Sequence, residues 1–343
     1  MGWECKIDSL TFSRAASRCN SLAMIENVKK VNVGPLGLFH LLNIAHSKEA
    51  TNAVDYVYGI HSLATGNGLT LPMPDYRKSV EQIFIETARH CIDTEGKLTI
   101  LAMVDGKAEP PLPSCAPKFP TSSEQPIMGD YSVSSDSKSS YRFDDSGLRL
   151  TVKGVFLDSV QSCGRAVPYR RGVLSPRFDA LKNDFQGTVK SVVLDWLGRV
   201  VEKFEADAND AVDKLLWTMS LDEPTSDNQE PAMFDLGNFK YYFFRDAESL
   251  SAKDQRQANF MVEILGTRLN GRRLVLTESG SMGLGPEACE PGDSVVLIAG
   301  MRMPFIVRKA GLYWRLVGWA FVYGIMYGRS WRGDEGLDDI ELV

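Results

Sequence analysis

Nowhere in the 343 residues is there an unbroken apolar run of about 18, the length a helix needs to cross a bilayer core, so no membrane span is expected. A basic excess is also missing. Lys and Arg total 38 against 44 Asp and Glu, for a net charge of -6. Such a chain lacks the positive field that a phosphate backbone rewards, and no nucleic-acid partner is expected. The six cysteines, Cys5, Cys19, Cys91, Cys115, Cys163 and Cys289, form no CxxC pair and no Cys/His cluster. Structural zinc normally shows such spacing, so no metal is expected. The opening MGWECKIDSL has neither a basic n-region nor an apolar h-region, and scattered thiols without a secretory signal read as reduced and cytoplasmic. The glycine-rich GSMGLGP, Gly280 to Pro286, fits neither GxGxxG between a strand and a helix nor a P-loop with its Lys. It reads instead as a turn between strands, its glycines supplying positive φ. Ser279 lacks a GxSxG context. With no nucleotide, flavin or metal motif, no cofactor is expected.

What is present is the composition of a globular protein, 44% hydrophobic and 24% charged, with enough length for a sizeable core. Helical spacing of apolar residues marks Ser9 to Ile25, Gly34 to His46 and Ala53 to Ala64, the last entered at Thr51 or Asn52. Ser79 opens another helix, with Glu81 and Gln82 close behind it. Together these make residues 1–104 a helical region. Pro, Ser, Lys and Asp crowd residues 105–146, which read as a loop or linker. Residues 147–270 are mixed. Leu148 to Val160 alternates like a strand, with Gly154 as a bulge or close-approach point. Phe185 to Phe204, Ala208 to Met219 and Ser251 to Leu269 read as helices. Residues 271–331 hold RRLVLTES, DSVVLIAG, PFIVRKA and YWRLVGWAFV between Gly/Pro turns, a small β module. An acidic tail, 332–343, follows. The fold class is α+β, helices packed with a C-terminal small sheet or partly closed barrel.

The densest feature is LYWRLVGWAFVYGIMYGRSW, Leu312 to Trp331, with seven aromatic residues. Alternation puts Trp319, Phe321 and Tyr323 on one face, and Val317, Ala320 and Val322 mostly on the other. Such a face serves either as core or as a pocket wall, where the Trp N–H and Tyr O–H find partners. On the helix Ala53 to Ala64, Tyr58 and His61 are neighbours on one face, with Asp55 roughly on the same side. A histidine beside a phenol and a carboxylate suits acid–base work; the plainer alternative is a surface helix histidine.

Several stretches resemble the C-terminal half of fungal heterokaryon-incompatibility (HET) domain proteins. They are Ala50 to Ala64 with Pro74 to Ile92, Leu148 to Val160, and Arg272 to Met326. The family pattern of GLGP, GD, PF with a following Arg, LVG and GIM is met at Gly283 to Pro286, Gly292-Asp293, Pro304-Phe305 with Val307-Arg308, Leu316 to Gly318, and Gly324 to Met326. About 47 residues precede the match, fewer than the family's own HET domain takes. The resemblance thus implies the back half of the family without its cell-death trigger. The departures are specific too. Asn52, Val54, Tyr56 and Gly59 replace polar or small family residues, His61 an aliphatic one, and Trp319, Tyr323, Tyr327 and Arg329 stand at polar or acidic family positions.

Two functions are expected from this. The first is a diverged HET-like protein that binds a hydrophobic small molecule. It would act as a cofactor-independent enzyme of fungal secondary metabolism, through cyclisation, isomerisation, dehydration or a pericyclic step. His61 would be its acid/base and Tyr323 its donor, aided by Tyr58 and Asp55. Trp319, Tyr327, Phe321 and Glu278 would contact substrate. The alternative is a non-enzymatic recognition or regulatory module in self/non-self signalling. Homo-oligomerisation is open in either case.

Overall fold

One strand organises the molecule. Leu150 to Ala166, rich in β-branched and alternating residues, runs for 17 residues and bonds to four other strands along its length. The computed structural model describes residues 37–46, 50–109, 111–121, 131–170, 179–223 and 251–343. The helix expected over Ser9 to Ile25 lies outside them, as do the first three residues of the one expected over Gly34 to His46.

The described chain begins with α1 (Leu38–His46), α2 (Asp55–Tyr58), α3 (His61–Gly66) and α4 (Val80–Glu95). The single helix expected over Ala53 to Ala64 is two, broken at Gly59-Ile60, where glycine's backbone entropy works against continuation. Neither Thr51 nor Asn52 caps it: α2 starts after Val54 without a side-chain cap, and Asn52 Oδ1 accepts from the Val54 amide at 3.2 Å in the preceding turn. In α4 the Ser79 signal matures into a full capping box with Gln82. Gly96, at φ 60°, ends the helix.

After β1 (Tyr141–Phe143) and β2 (Leu150–Ala166) come α5 (Asp179–Phe204), α6 (Ala208–Ser220) and α7 (Ala252–Leu269, capped by Ser251). The remaining strands are β3 (Arg272–Thr277), β4 (Met282–Pro286), β5 (Ser294–Ile298), β6 (Phe305–Ala310), β7 (Tyr313–Trp319), β8 (Phe321–Val322) and β9 (Asp338–Leu342). Strands β2, β5, β6, β7 and β9 close into a five-stranded ring, since β5 pairs with both β6 and β2. Four junctions are antiparallel; β7–β9 is parallel. An odd number of staves requires at least one parallel junction. The far end of β2 leaves the ring and carries β3, β4 and β8. The α+β class stands, and the barrel is fully closed.

Gly154 sits at the closure point, opposite Ile298 of β5 and Asp338 of β9. A Cβ there would lie 2.5 Å from Leu297 O and 2.9 Å from Ile340 Cδ1, so the close approach read from the sequence is real. The glycine-rich stretch differs from its turn reading. Glu278–Ser281 turns, but Met282–Pro286 is strand β4. A Cβ on Gly283 would stand 2.3 Å from Phe321 O. This glycine therefore admits a neighbouring backbone rather than supplying positive φ.

A continuous apolar core runs from Leu38 and Phe84 through Trp196 to Phe305, Phe321 and Leu342, joining helices and barrel. A second, smaller cluster holds Val160, Val275, Val317, Ala320 and Val322. The Pro/Ser-rich stretch, expected as a loop or linker, is irregular in its described parts except for β1, which pairs with β2, and it lies on the barrel. Ser114 donates its amide to Val343 O at 3.0 Å, and its hydroxyl accepts from Leu316 N at 2.9 Å. Ser134 donates to Met301 O and Ser137 accepts from Gly300 N. Serine hydroxyls here satisfy backbone groups that the strands leave unpaired. The acidic tail contributes a barrel stave, β9, with Ile340 and Leu342 turned inward and Asp338 and Asp339 exposed.

The motif residues Asp293 and Arg308 meet at the barrel. Arg308 Nε and Nη2 bond Asp293 Oδ1 and Oδ2 at 2.7 and 3.0 Å. Asp293 is only 2% exposed, so this bidentate guanidinium is what makes its burial tolerable.

Candidate functional site

The helix α6 and the residue that precedes it, Asp207, turn one stripe, Asp207, Asp210, Ala211 and Lys214, toward the β3–β4 turn. The spacing of three, one and three residues places them on one face. Between helix and turn lies a cleft of about 390 Å³. Phe204 closes one side, and Ser279, Gly280, Ser281 and Met282 form the other. Tyr323 reaches the cleft because its amide donates to Met282 O at 2.9 Å, extending the β4–β8 pairing by one residue.

The polar groups have definite states. Lys214 Nζ pairs with Asp210 Oδ2 at 2.6 Å, and this bond raises the ammonium's pKa. The Tyr323 phenol is half-buried, and desolvation pushes its pKa up while Lys214 pulls against the shift. It is a neutral donor at ordinary pH. Ser279 Oγ donates to Asp158 Oδ2, and the Ser279 amide reaches the same oxygen at 3.3 Å. Burial alone would raise the Asp158 carboxyl. Bonds from the Ser279 and Thr277 hydroxyls and the Ser159 and Ser279 amides outweigh it, and the group is held below its ordinary value. Lys203 bonds Gln161 Oε1 at 2.6 Å and Thr277 O at 3.1 Å; burial lowers its pKa. The cleft is therefore lined by a phenol, hydroxyls, a paired ammonium and the carboxylates of Asp207 and Asp210, together with the apolar Phe204, Ala211 and Met282. That set can orient a small molecule by hydrogen bonds. Among the described residues no cluster of three or more His, Cys, Asp or Glu is placed to hold a metal ion.

Of the eight residues singled out in the sequence, Tyr323 alone lines this cleft. Tyr58 and Asp55 lie in a different place, joined through Tyr76. The Tyr58 hydroxyl donates to Asp75 O at 3.1 Å and accepts from the Asp75 amide at 3.0 Å. Asp55 Oδ1 accepts from Tyr76 OH at 3.0 Å, and the Tyr58 and Tyr76 rings meet edge to face. His61 opens α3, half-buried. Trp319 is 2% exposed, with the Arg272 guanidinium 3.5 Å above its ring and Arg272 Nη1 donating to its carbonyl at 2.7 Å. Its indole N–H is buried with no hydrogen-bond partner among the described residues. Phe321 is fully buried in the main core, Tyr327 packs edge to face on Tyr131, and Glu278 is exposed, its amide donating to Ser159 O. The alternation of the closing hairpin is as read: Trp319 and Phe321 enter the main core, and Val317, Ala320 and Val322 the second cluster.

Sequence reasoning missed Glu223. This side chain is 2% exposed, and its Oε1 accepts from the amides of Gly324 at 2.7 Å and Met326 at 3.1 Å. Burial raises its pKa; the Met326 and Gly324 amides and Arg329 act against the rise. The Gly-Ile-Met segment is thus a backbone nest for a carboxylate. Nothing near Glu223 in the chain signals this, because the two partners are a hundred residues apart.

Comparison with known proteins bears on the barrel. Residues 248–338 match the Het-6 β-barrel domain family. The match holds α7 and β3 to β8, so staves β2 and β9 lie wholly or almost wholly beyond it. A 64-residue stretch is 41% identical to "Heterokaryon incompatibility protein 6, OR allele" of Neurospora crassa, covering 18% of this chain and 9% of that protein. The chain thus spans a small part of the curated relative it matches. No solved structure matches. The C-terminal region of this chain resembles fungal heterokaryon-incompatibility proteins, through a Het-6 β-barrel domain.

Proposed function

We propose that this chain is a recognition or regulatory module of fungal heterokaryon incompatibility, acting by binding rather than by catalysis. The observation that carries this reading is the Het-6 β-barrel match, supported by the 41% identical stretch in a heterokaryon-incompatibility protein. The test is expression of the chain in Neurospora crassa strains of opposite incompatibility type, scoring growth of the fused hyphae. An altered compatibility that disappears with Arg308→Ala is expected. Equal vigour with and without the chain, in every pairing, would overturn the reading.

A second reading is favoured by the cleft beneath Tyr323: a hydrophobic small molecule bound there, with the phenol as donor, and converted without a cofactor in secondary metabolism. His61, Tyr58 and Asp55 do not line that cleft, so this reading rests on Tyr323 and its neighbours. It is checked by thermal shift of the full chain against a set of aromatic polyketide-type compounds. A ligand that stabilises the protein, and does so less in Tyr323→Phe, supports it. Identical shifts in both proteins, or none, remove it. A cytoplasmic location and self-association accompany either reading, and are open to fluorescence tagging and to sizing by light scattering.

A further inference from the structure

Two thiols that take no part in the cleft meet where β2 leaves the barrel. Cys163 lies on β2 opposite Val275 of β3 and is half-buried. Cys289 lies in the connection from β4 to β5 and is fully buried. The Cys289 thiol is hydrogen-bonded to Cys163 Sγ. Both cysteines are reduced.

Their chain segments are held by one side chain. Arg273 Nε and Nη2 donate to Gly164 O at 3.0 and 2.9 Å, and Nη1 donates to Cys289 O at 2.7 Å and Glu287 O at 3.3 Å. A single guanidinium therefore fixes the residue after Cys163 and Cys289 itself. Crowding limits Cys289 further: a Cβ added at Gly285 would stand 3.3 Å from its Cβ and 3.4 Å from its Sγ. The pair sits against Val160, Val275 and Val295.

The two sulfurs are unequal. The bond from Cys289 lowers the Cys163 pKa, Arg273 adds to this, and burial opposes it. The same bond, with burial, pushes Cys289 far up. Cys163 is thus the half-exposed, more acidic thiol, and Cys289 is a buried neighbour within reach. Redox-sensing thiols share this arrangement of an accessible thiolate beside a resolving cysteine. The other described cysteines contrast with it. Cys91 and Cys115 are buried, desolvation raises both, Cys115 to about 12, and such thiols are inert.

We propose that Cys163 and Cys289 are a peroxide-responsive pair, in which Cys163 is oxidised first and Cys289 then closes a disulfide between β2 and the β4–β5 connection. In the first step the Cys163 thiolate attacks one oxygen of hydrogen peroxide. An S–O bond forms, the O–O bond breaks, and the departing hydroxide takes up a proton as water. In the second step Cys289 gives up its proton and attacks Cys163 Sγ. The S–S bond forms, the S–O bond breaks, and hydroxide leaves with that proton as a second water. Two thiols lose two electrons in all, and one peroxide becomes two waters.

The test uses the purified full chain, reduced, desalted and exposed to one equivalent of hydrogen peroxide, then alkylated, digested and mapped by mass spectrometry. A peptide pair joined through Cys163 and Cys289, reversed by dithiothreitol, is expected. In Cys289→Ser the disulfide is lost and dimedone traps a sulfenic acid on Cys163. Because Cys289 is buried and its variant is at risk of misfolding, Cys163→Ser is the second arm. It should keep the wild-type circular dichroism and show neither adduct nor bridge. The proposal is overturned if Cys163 stays reduced while another thiol oxidises. It is equally overturned if wild type and Cys289→Ser give the same dimedone yield on Cys163.

Discussion

Tyr58 and Tyr323 are both half-buried phenols with carboxylates nearby, yet the two regions use them differently. Tyr58 is bonded twice to the backbone of one residue, Asp75, as donor and as acceptor. Its ring is fixed by Tyr76, which in turn bonds Asp55. The phenol therefore acts as a rivet between α2 and the segment that leads to α4. Tyr323 is positioned by its backbone, through Met282 O, and its hydroxyl makes no hydrogen bond among the described residues. The difference teaches what separates a holding phenol from an available one. Both are equally visible in a sequence; what distinguishes them is whether backbone groups have already claimed the oxygen.

The sharpest way to test this contrast is within the closing hairpin itself. Trp319→Ala removes a ring buried in the core and leaves the buried Arg272 guanidinium without its stacking surface. A loss of about 3–5 kcal/mol is expected in urea melts; a loss below about 1 kcal/mol would mean that the hairpin wall is not core. Tyr58→Phe comes next. It deletes both bonds to Asp75 and leaves an amide to find water, at about 1 kcal/mol. A neutral result would dissolve the distinction between the two phenols.

Glu223→Gln has a smaller effect that appears as a pH dependence. Burial raises the Glu223 pKa in the fold above its ordinary 4.5, so the folded state binds that proton more tightly than the unfolded chain. The group's contribution to stability is then greatest below 4.5 and falls as pH rises through the raised value. The difference in melting temperature, wild type minus Glu223→Gln, should decline over that interval. A flat or rising difference would show that the amide nest fully compensates the desolvation. Tyr323→Phe should be the mildest, within about 0.5 kcal/mol of wild type, because no protein bond to its hydroxyl is lost.

Local rules made much of the scaffold legible. Ser79 with Gln82, a helix beginning at about Ser251, and the alternation of β2 were all readable, because caps, helix spacing and strand faces depend on neighbours a few residues away. Gly154 was legible as a tight spot for the same reason. The helix over Ala53 to Ala64 was overextended, since apolar spacing persists across Gly59 while the backbone does not. The barrel's full membership was hidden. The acidic composition of β9 masks Ile340 and Leu342, and nothing local says that Leu342 faces Leu150. The candidate site was only half legible. Tyr323 stood out as an unusual aromatic, but α6 and the Ser279–Met282 turn meet it through tertiary contacts that no spacing rule encodes. Glu223 and its amide nest escaped for the same reason.

The ring's closing junction has a kinetic consequence. Strand β2 belongs to the first half of the chain and β9 to its far end, and the barrel is complete only when Leu150 finds Leu342. Pairing over such separation is slow, because loop closure must precede any reward from the contacts. Until it occurs, β2 and β7 each present an open edge of unpaired amides and carbonyls, the surface from which strand-to-strand aggregation starts. The time this protein spends vulnerable during synthesis is thus governed by one late encounter, and a chaperone that shields β2 would act at that step.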